Sequence, residues 1–176
     1  MHMKEHDHRG FTLIELLVVI TIIAILAGIL IPTIASAIKR AEAAKARATM
    51  MAIKTGVETY QTTYGKLPLK VNDHGNSENG NPYATTAEVI RILLADVSGP
   101  TEKLNPKKIV FLSVDQVVSG GVLLDPWDQQ YDIWLDTDYD NITKVDSDEV
   151  RDSAVLRSGG PDGAKDTPDD IYTYTR

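Results

Sequence analysis

The side chains best equipped for chemistry in this sequence are carboxylates. Residues 158–171 set Asp162, Asp166, Asp169 and Asp170 on a Gly- and Pro-rich stretch. Calcium takes about 6–8 oxygen ligands from carboxylates, carbonyls and water, and a short acidic loop between two strands can supply them. The alternative is a solvated acidic loop that holds no metal. A second run, Asp136-Thr137-Asp138-Tyr139-Asp140-Asn141, begins like an EF-hand loop, but Asn141 stands at the glycine position and Ser147 at the closing glutamate. A third carboxylate, Glu15, stands alone at the edge of a long apolar run. An ionisable group placed there is a functional-site hypothesis whose partner has to be named.

The remaining chemistry is sparse. The chain has no cysteine, which removes disulfides, thiolate chemistry and Cys-based zinc sites. No G-x-S-x-G, H-E-x-x-H or P-loop pattern occurs, and the paired aspartates lack the apolar surroundings that raise a general acid's pKa. A secreted enzyme or a carbohydrate-binding module therefore has no positive support, and the expectation is a protein that is not an enzyme. His2, His6 and His8 sit in a polar leader and receive no role. Charge is divided, with residues 1–112 at +3 and residues 113–176 at −10. The acidic half disfavours a nucleic-acid groove and favours hard cations.

The elements that position these groups begin with an apolar helix. Leu16 to Ile38 are 23 residues without a formal charge, enough for the about 17–25 of a membrane span. A cleaved signal peptide is the competitor, because Ala35-Ser36-Ala37 imitates a cleavage site; the length of the run and Glu15 argue against it. If the chain were cut between Gly10 and Phe11, the new α-amino group would lie one turn from Glu15, so that one subunit's carboxylate could neutralise its neighbour's terminus. Pro32 removes a backbone donor and is expected to kink or melt the helix near Gly28 to Pro32.

Beyond Lys39 and Arg40, the residues Met50, Ile53, Val57, Tyr60 and Tyr64 recur at helical spacing. The helix is therefore expected to run from about Thr12 to Tyr64, with Gly65 and Pro68 as stop signals. Small side chains from Ala41 to Ala48 permit close helix packing. Residues 66–84 read as a long surface loop, and Thr85-Thr86-Ala87-Glu88 as the capping box of a short helix to about Asp96. Ile109 to Leu112, the alternating Tyr131, Ile133 and Leu135, Val155, and Ile171 to Tyr174 then suggest a small antiparallel sheet.

The stretch from Arg9-Gly10-Phe11-Thr12-Leu13-Ile14-Glu15 to Ile31-Pro32 closely resembles the class III signal of type IV pilins and type II secretion pseudopilins. The resemblance implies an α+β pilin fold, a long N-terminal helix packed on a small antiparallel head. It also implies cleavage after Gly10 by prepilin peptidase, N-methylation of Phe11, and roles for Glu15 in assembly and Pro32 in local unwinding within the filament. On this reading residues 1–10 are a leader, 11–38 a transmembrane and filament-core helix, and 39–176 a periplasmic head. Asp125-Pro126-Trp127-Asp128-Gln129-Gln130-Tyr131 resembles the D-P-W-G-N-P-Y turn of major pseudopilins, with Asp128, Gln129 and Gln130 replacing Gly-Asn-Pro. Residues 158–171 resemble their calcium loop, which implies Asp162 and Asp169 as side-chain ligands, with Asp170 and carbonyls near Leu156 and Ser158 as lesser ones.

The implied function is a structural one: a major pseudopilin, anchored once in the inner membrane, that homopolymerises through its N-terminal helix to drive export across the outer membrane. Its implied partners are prepilin peptidase, the inner-membrane assembly platform and minor pseudopilins, with no nucleic acid. The alternative within the same architecture is a type IV pilin for adhesion, motility or DNA uptake.

Overall fold

The computed structural model describes residues 11–69, 86–96, 103–114 and 122–175. The leader, including Gly10 and the three early histidines, lies outside the described residues, as do most of the 66–84 loop and Thr85 of the expected capping box. The chain divides into two units, Met1–Arg40 and Ala41–Arg176.

In the first unit the helix α1, Leu13–Tyr64, is 52 residues long and is the described element long and apolar enough to cross a membrane. Every large apolar side chain from Phe11 to Ile38 is between 47% and 82% exposed. Such a face stays out of water only in lipid or against other apolar helices. The helix is unbroken through Pro32 in this single chain. Proline deprives the Gly28 carbonyl of its usual donor, while the turn around it is tightened by hydroxyls: Thr33 donates to the Ile29 carbonyl at 2.9 Å and Ser36 to the Thr33 carbonyl at 2.9 Å.

In the second unit the distal part of α1 buries Ala46, Met50, Ile53, Gly56, Val57 and Tyr60 on one stripe. It ends at Gly65, whose positive φ of 67° and bond to the Gln61 carbonyl form a left-handed cap. The short helix α2, Thr86–Leu93, buries Val89, Ile90, Ile92 and Leu93. It stops short of Asp96 because Ala95 turns left-handed and the Asp96 amide bonds back to the Arg91 carbonyl. Residues 109–114 form no strand. The Phe111 and Leu112 amides both bond to the Leu93 carbonyl, and Phe111 packs edge-on to Tyr60 and Tyr64. Buried Asn105 joins these pieces: its amide donates to the Ile92 and Ile109 carbonyls, and its oxygen accepts from Tyr64 and the Ile109 amide.

Five strands follow: β1 Asp132–Leu135, β2 Thr143–Val145, β3 Asp148–Val150, β4 Ala154–Ser158 and β5 Ile171–Tyr172. An antiparallel sheet runs β1-β4-β5, and β2-β3 is a separate hairpin. In the register, Ile133 faces Leu156 and Leu135 faces Ala154, while Trp134 faces Val155 and Asp132 faces Arg157. Because side chains alternate along a strand, the first set joins the core with α1 and α2. The second set packs with Val145, Val150, Tyr172 and Tyr174 in a smaller cluster. Tyr131, Ile133 and Leu135 do alternate with other side chains, but the opposite face is covered as well, so all four residues of β1 are buried.

Candidate functional site

At the amino end of α1, Thr12 and Glu15 form a reciprocal cap. The Thr12 amide and hydroxyl both donate to Glu15 Oε2, at 2.9 and 2.7 Å, and the Glu15 amide donates back to the Thr12 hydroxyl at 3.3 Å. This is a capping box, in which Thr-x-x-Glu satisfies amides that have no partner inside the helix. The signal was legible as T-L-I-E, yet Glu15 had been read only as a charge. Phe11 precedes the cap and is exposed. In the unit described, Glu15 is thus held by its own helix start, one turn from the residue that would carry a new amine after processing.

The second locus is the loop between β4 and β5. Gly160 has φ 66°, and a Cβ there would overlap the Asp169 carbonyl, so the turn requires glycine. This brings the Thr167 hydroxyl to 2.6 Å from Asp169 Oδ1, 3.4 Å from Asp162 Oδ1, 3.5 Å from Asp170 Oδ1 and 3.3 Å from the Ala164 carbonyl. A hydroxyl carries one proton and can serve one of these acceptors at a time. Four oxygens therefore surround this hydroxyl with lone pairs to spare; oxygen donors suit a hard cation, although the three carboxylates do not all bring their oxygens within 4.8 Å of one another. Thr167's hydrogen bond, aided by the Asp162 amide and opposed by desolvation, holds Asp169 below the usual carboxylate range, so it stays ionised.

The other expected ligand residues also make contacts of their own. The Leu156 carbonyl accepts the Thr173 amide. Ser158 Oγ donates to Asp125 Oδ2 at 2.6 Å. Asp170 Oδ2 accepts the Asp166 amide at 2.9 Å and lies 3.7 Å from Arg157. Asp125 also uses Oδ1 to accept the amides of Trp127 and Gln129, so the 125–131 turn is tied to the end of β4. Asp128, at the position where the resembling turn has glycine, sits at φ 63°, the backbone state that glycine adopts without strain.

Arg157 was missed at the level of sequence. It is 4% exposed, and its guanidinium bonds to Asp132 Oδ2 at 2.8 and 3.1 Å and to Asp166 at 2.5 Å while stacking 5.1 Å from the Trp134 ring. Burial works against its charge, but the hydrogen bonds it donates to Tyr172 and Asp132 outweigh that and raise its pKa. Lys165 bonds to the other oxygen of Asp132 at 2.7 Å. Two cations thus hold the acidic loop against the far face of the sheet.

An apolar helix that opens on a capped Thr-x-x-Glu, followed by a small helix-and-sheet unit with an oxygen-lined loop, is similar in plan to type IV pilin-like proteins. Residues 6–31 match the family model described as Prokaryotic N-terminal methylation motif. Over nearly its whole length the chain is similar to Type II secretion system core protein G of Dickeya chrysanthemi, 26% identical over 97% of this chain and 88% of that protein. It is likewise similar to the core protein G of Escherichia coli K12, 27% identical over 94% of this chain and 90% of that one. The Type IV wide pilus major component PilA4 of Thermus thermophilus is 70% identical over 33 residues, 19% of this chain and 25% of that protein. The crystal structure of the major pseudopilin from the type 2 secretion system of enterohaemorrhagic Escherichia coli aligns with TM-score 0.41 and 19% identity, over 78% of this chain and 90% of that one.

Proposed function

We propose that this chain is the major pseudopilin of a type II secretion system, a structural subunit and not an enzyme. The observation that carries this reading is similarity to core protein G over 94–97% of the chain, second unit included. The pilin match is confined to a fifth of the chain, where pilins and pseudopilins share the same signal, so it favours the type IV pilin alternative only weakly. On our reading prepilin peptidase cuts after Gly10 and Phe11 is N-methylated. The apolar helix then anchors the subunit in the inner membrane with residues 39–176 in the periplasm, and homopolymerisation buries that helix among its copies, on an inner-membrane platform shared with minor pseudopilins.

Glu15 would leave Thr12 to meet a neighbour's new terminus, exchanging a cap made by an uncompensated carboxylate for an ion pair in a low-dielectric bundle. Asp162, Asp169 and, through its Oδ1, Asp170 would hold calcium in the β4–β5 loop beside Thr167 and the Ala164 carbonyl. The ion would neutralise charge and, by binding only the folded form, stabilise it.

The test separates cap from charge. Glu15→Gln keeps an oxygen that accepts from Thr12 but loses the charge, whereas Thr12→Ala loses the cap and keeps the charge. In a host carrying the cognate secretion genes, the wild-type chain should restore export and yield a mature N-terminus with methylated Phe11. Glu15→Gln should block assembly and Thr12→Ala should not. An uncut chain, or export that tolerates deletion of the gene, would refute the reading; long extracellular fibres with intact export would favour the type IV pilin. For calcium, the full chain in detergent should melt higher in excess calcium than in chelator, and Asp162→Ala/Asp169→Ala should lose most of that shift.

A further inference from the structure

The turn between β1 and β2 holds three carboxylates that the secretion reading does not use. One carboxylate oxygen from each of Asp136, Asp138 and Asp140 lies within 4.8 Å of the other two, and among the described residues no other trio of metal-ligating side chains is so closely grouped. Their spacing, i, i+2 and i+4, is that of the first three ligands of calcium loops. The glycine such loops need at the next position is replaced by Asn141, and Asn141 nevertheless adopts φ 65°, as asparagine does more readily than most side chains. Tyr139 is also left-handed, at φ 64°.

A separate observation points to a ligand. Asp136 is only 4% exposed, and its two oxygens are treated unequally. Oδ2 accepts the Asn141 amide at 2.8 Å, while Oδ1 is fully buried and has no hydrogen-bond partner. Buried polar atoms in folded proteins are nearly always satisfied, and an ion is one way to satisfy them. The Asp138 and Asp140 side chains each accept an amide of the turn, from Asp140 at 3.2 Å and Ile142 at 2.7 Å, which curls the chain around the trio.

We propose that Asp136, Asp138 and Asp140 form a second divalent-cation site, suited to calcium, in the β1–β2 turn. Asp136 supplies its unpartnered oxygen from below, and the two exposed aspartates supply oxygens from above; water completes the shell. With no closing glutamate at Ser147 the site should be weak, in the range of about 10⁻⁴–10⁻³ M typical of extracellular modules. Its structural reach is larger than the turn, because the Tyr139 hydroxyl accepts the Leu67 amide at 3.1 Å. A filled site would therefore also fix the chain just after α1.

The experiment uses the full chain in detergent, with terbium as a luminescent probe of calcium sites sensitised by tyrosine, and calcium as competitor. Calcium stoichiometry is measured in parallel by equilibrium dialysis. Asp138→Asn/Asp140→Asn changes two exposed side chains and should lower the stoichiometry by one equivalent and remove a calcium-displaceable share of the terbium signal, whatever the β4–β5 loop does. Asp162→Asn/Asp169→Asn should leave that share in place, which separates this site from the other loop. Unchanged stoichiometry and luminescence in Asp138→Asn/Asp140→Asn would overturn the proposal. Far-UV circular dichroism checks that the variants are folded, and the single variant Asp138→Asn, with the same expected loss, stands in if the double variant is not.

Discussion

Replacing Arg157 with methionine removes a buried cation while keeping much of its stem volume. Four carboxylates then lose a partner: Asp132, 11% exposed at the side chain and bonded twice; Asp170, 2% exposed and 3.7 Å away; Asp146, 33% exposed and 3.8 Å away; and Asp166, 69% exposed. Asp166 can return to water at little cost. Asp132 and Asp170 cannot, and breaking a buried pair by deleting one partner costs about 3–5 kcal/mol. Stacking on Trp134 adds roughly 0.5–2 kcal/mol, while Lys165 stays on Asp132 and limits the damage. The expected loss is therefore about 3–4 kcal/mol, a large share of the 5–15 kcal/mol typical of a domain. For a unit of this size that corresponds to roughly 10–20 °C in Tm. Tryptophan fluorescence of the full chain in detergent reads the transition, since Trp134 lies against the substituted position. A cycle with Asp132→Asn should recover part of the loss in the double variant, with a coupling of about 1–3 kcal/mol. A Tm within about 3 °C of wild type, or additivity of the two changes, would refute the claim that this cluster is desolvated.

Other outcomes follow from backbone and burial. Gly160→Ala should cost more than the roughly 1–2 kcal/mol of a left-handed alanine, because its Cβ also overlaps the Asp169 carbonyl; Gly65→Ala, with φ 67° and open space around it, should cost only that amount, as denaturant titration will show. Asp128→Gly relieves a left-handed non-glycine and should leave stability unchanged or raise it by up to about 1 kcal/mol in the same assay. Burial pushes the Tyr60 and Tyr131 hydroxyls up to about 12 from an ordinary 10.0. The folded state thus holds these protons more tightly, and their contribution is intact below pH 10 and lost as pH rises to about 12. Tyr131→Phe should flatten that alkaline decline in Tm, and an identical pH profile would show the hydroxyl to be solvated.

The long helix was legible because its stripe has the helical period over many turns, and Gly65 marks its end without ambiguity. The sheet was legible only in part. β2 and β3 are three-residue strands joined through Asp146 and Ser147, too short and too polar for alternation to stand out. Asp132 looked like the polar, outward half of an alternating strand. It is buried instead because Arg157, 25 positions later, pairs with it across the register, and that pairing exists only once β1 and β4 meet. Asn105 escaped for the same reason: its four partners come from α1, α2 and the 105–109 turn, so nothing local marks it. Of the site residues, Glu15, its Thr-x-x-Glu cap and the 158–171 carboxylates were visible as types and spacing, whereas the central place of Thr167 depends on geometry.

Charge balance also says why the β4–β5 loop should want a cation despite two basic side chains nearby. Asp132, Asp146, Asp162, Asp166, Asp169 and Asp170 stand against Arg157 and Lys165, which leaves an excess of negative charge around the loop. Arg157 makes its shortest contacts to Asp166 and Asp132, and Lys165 bonds to Asp132, so the deficit falls on the Thr167 side, at Asp162 and Asp169. Like charges held in one small loop repel one another. A divalent ion bound there would remove that repulsion without disturbing Arg157, so the stability lost in Arg157→Met and the stability gained from calcium should be nearly additive. Strong coupling between them would mean that the arginine and the ion compete for Asp170, the carboxylate that touches both groups.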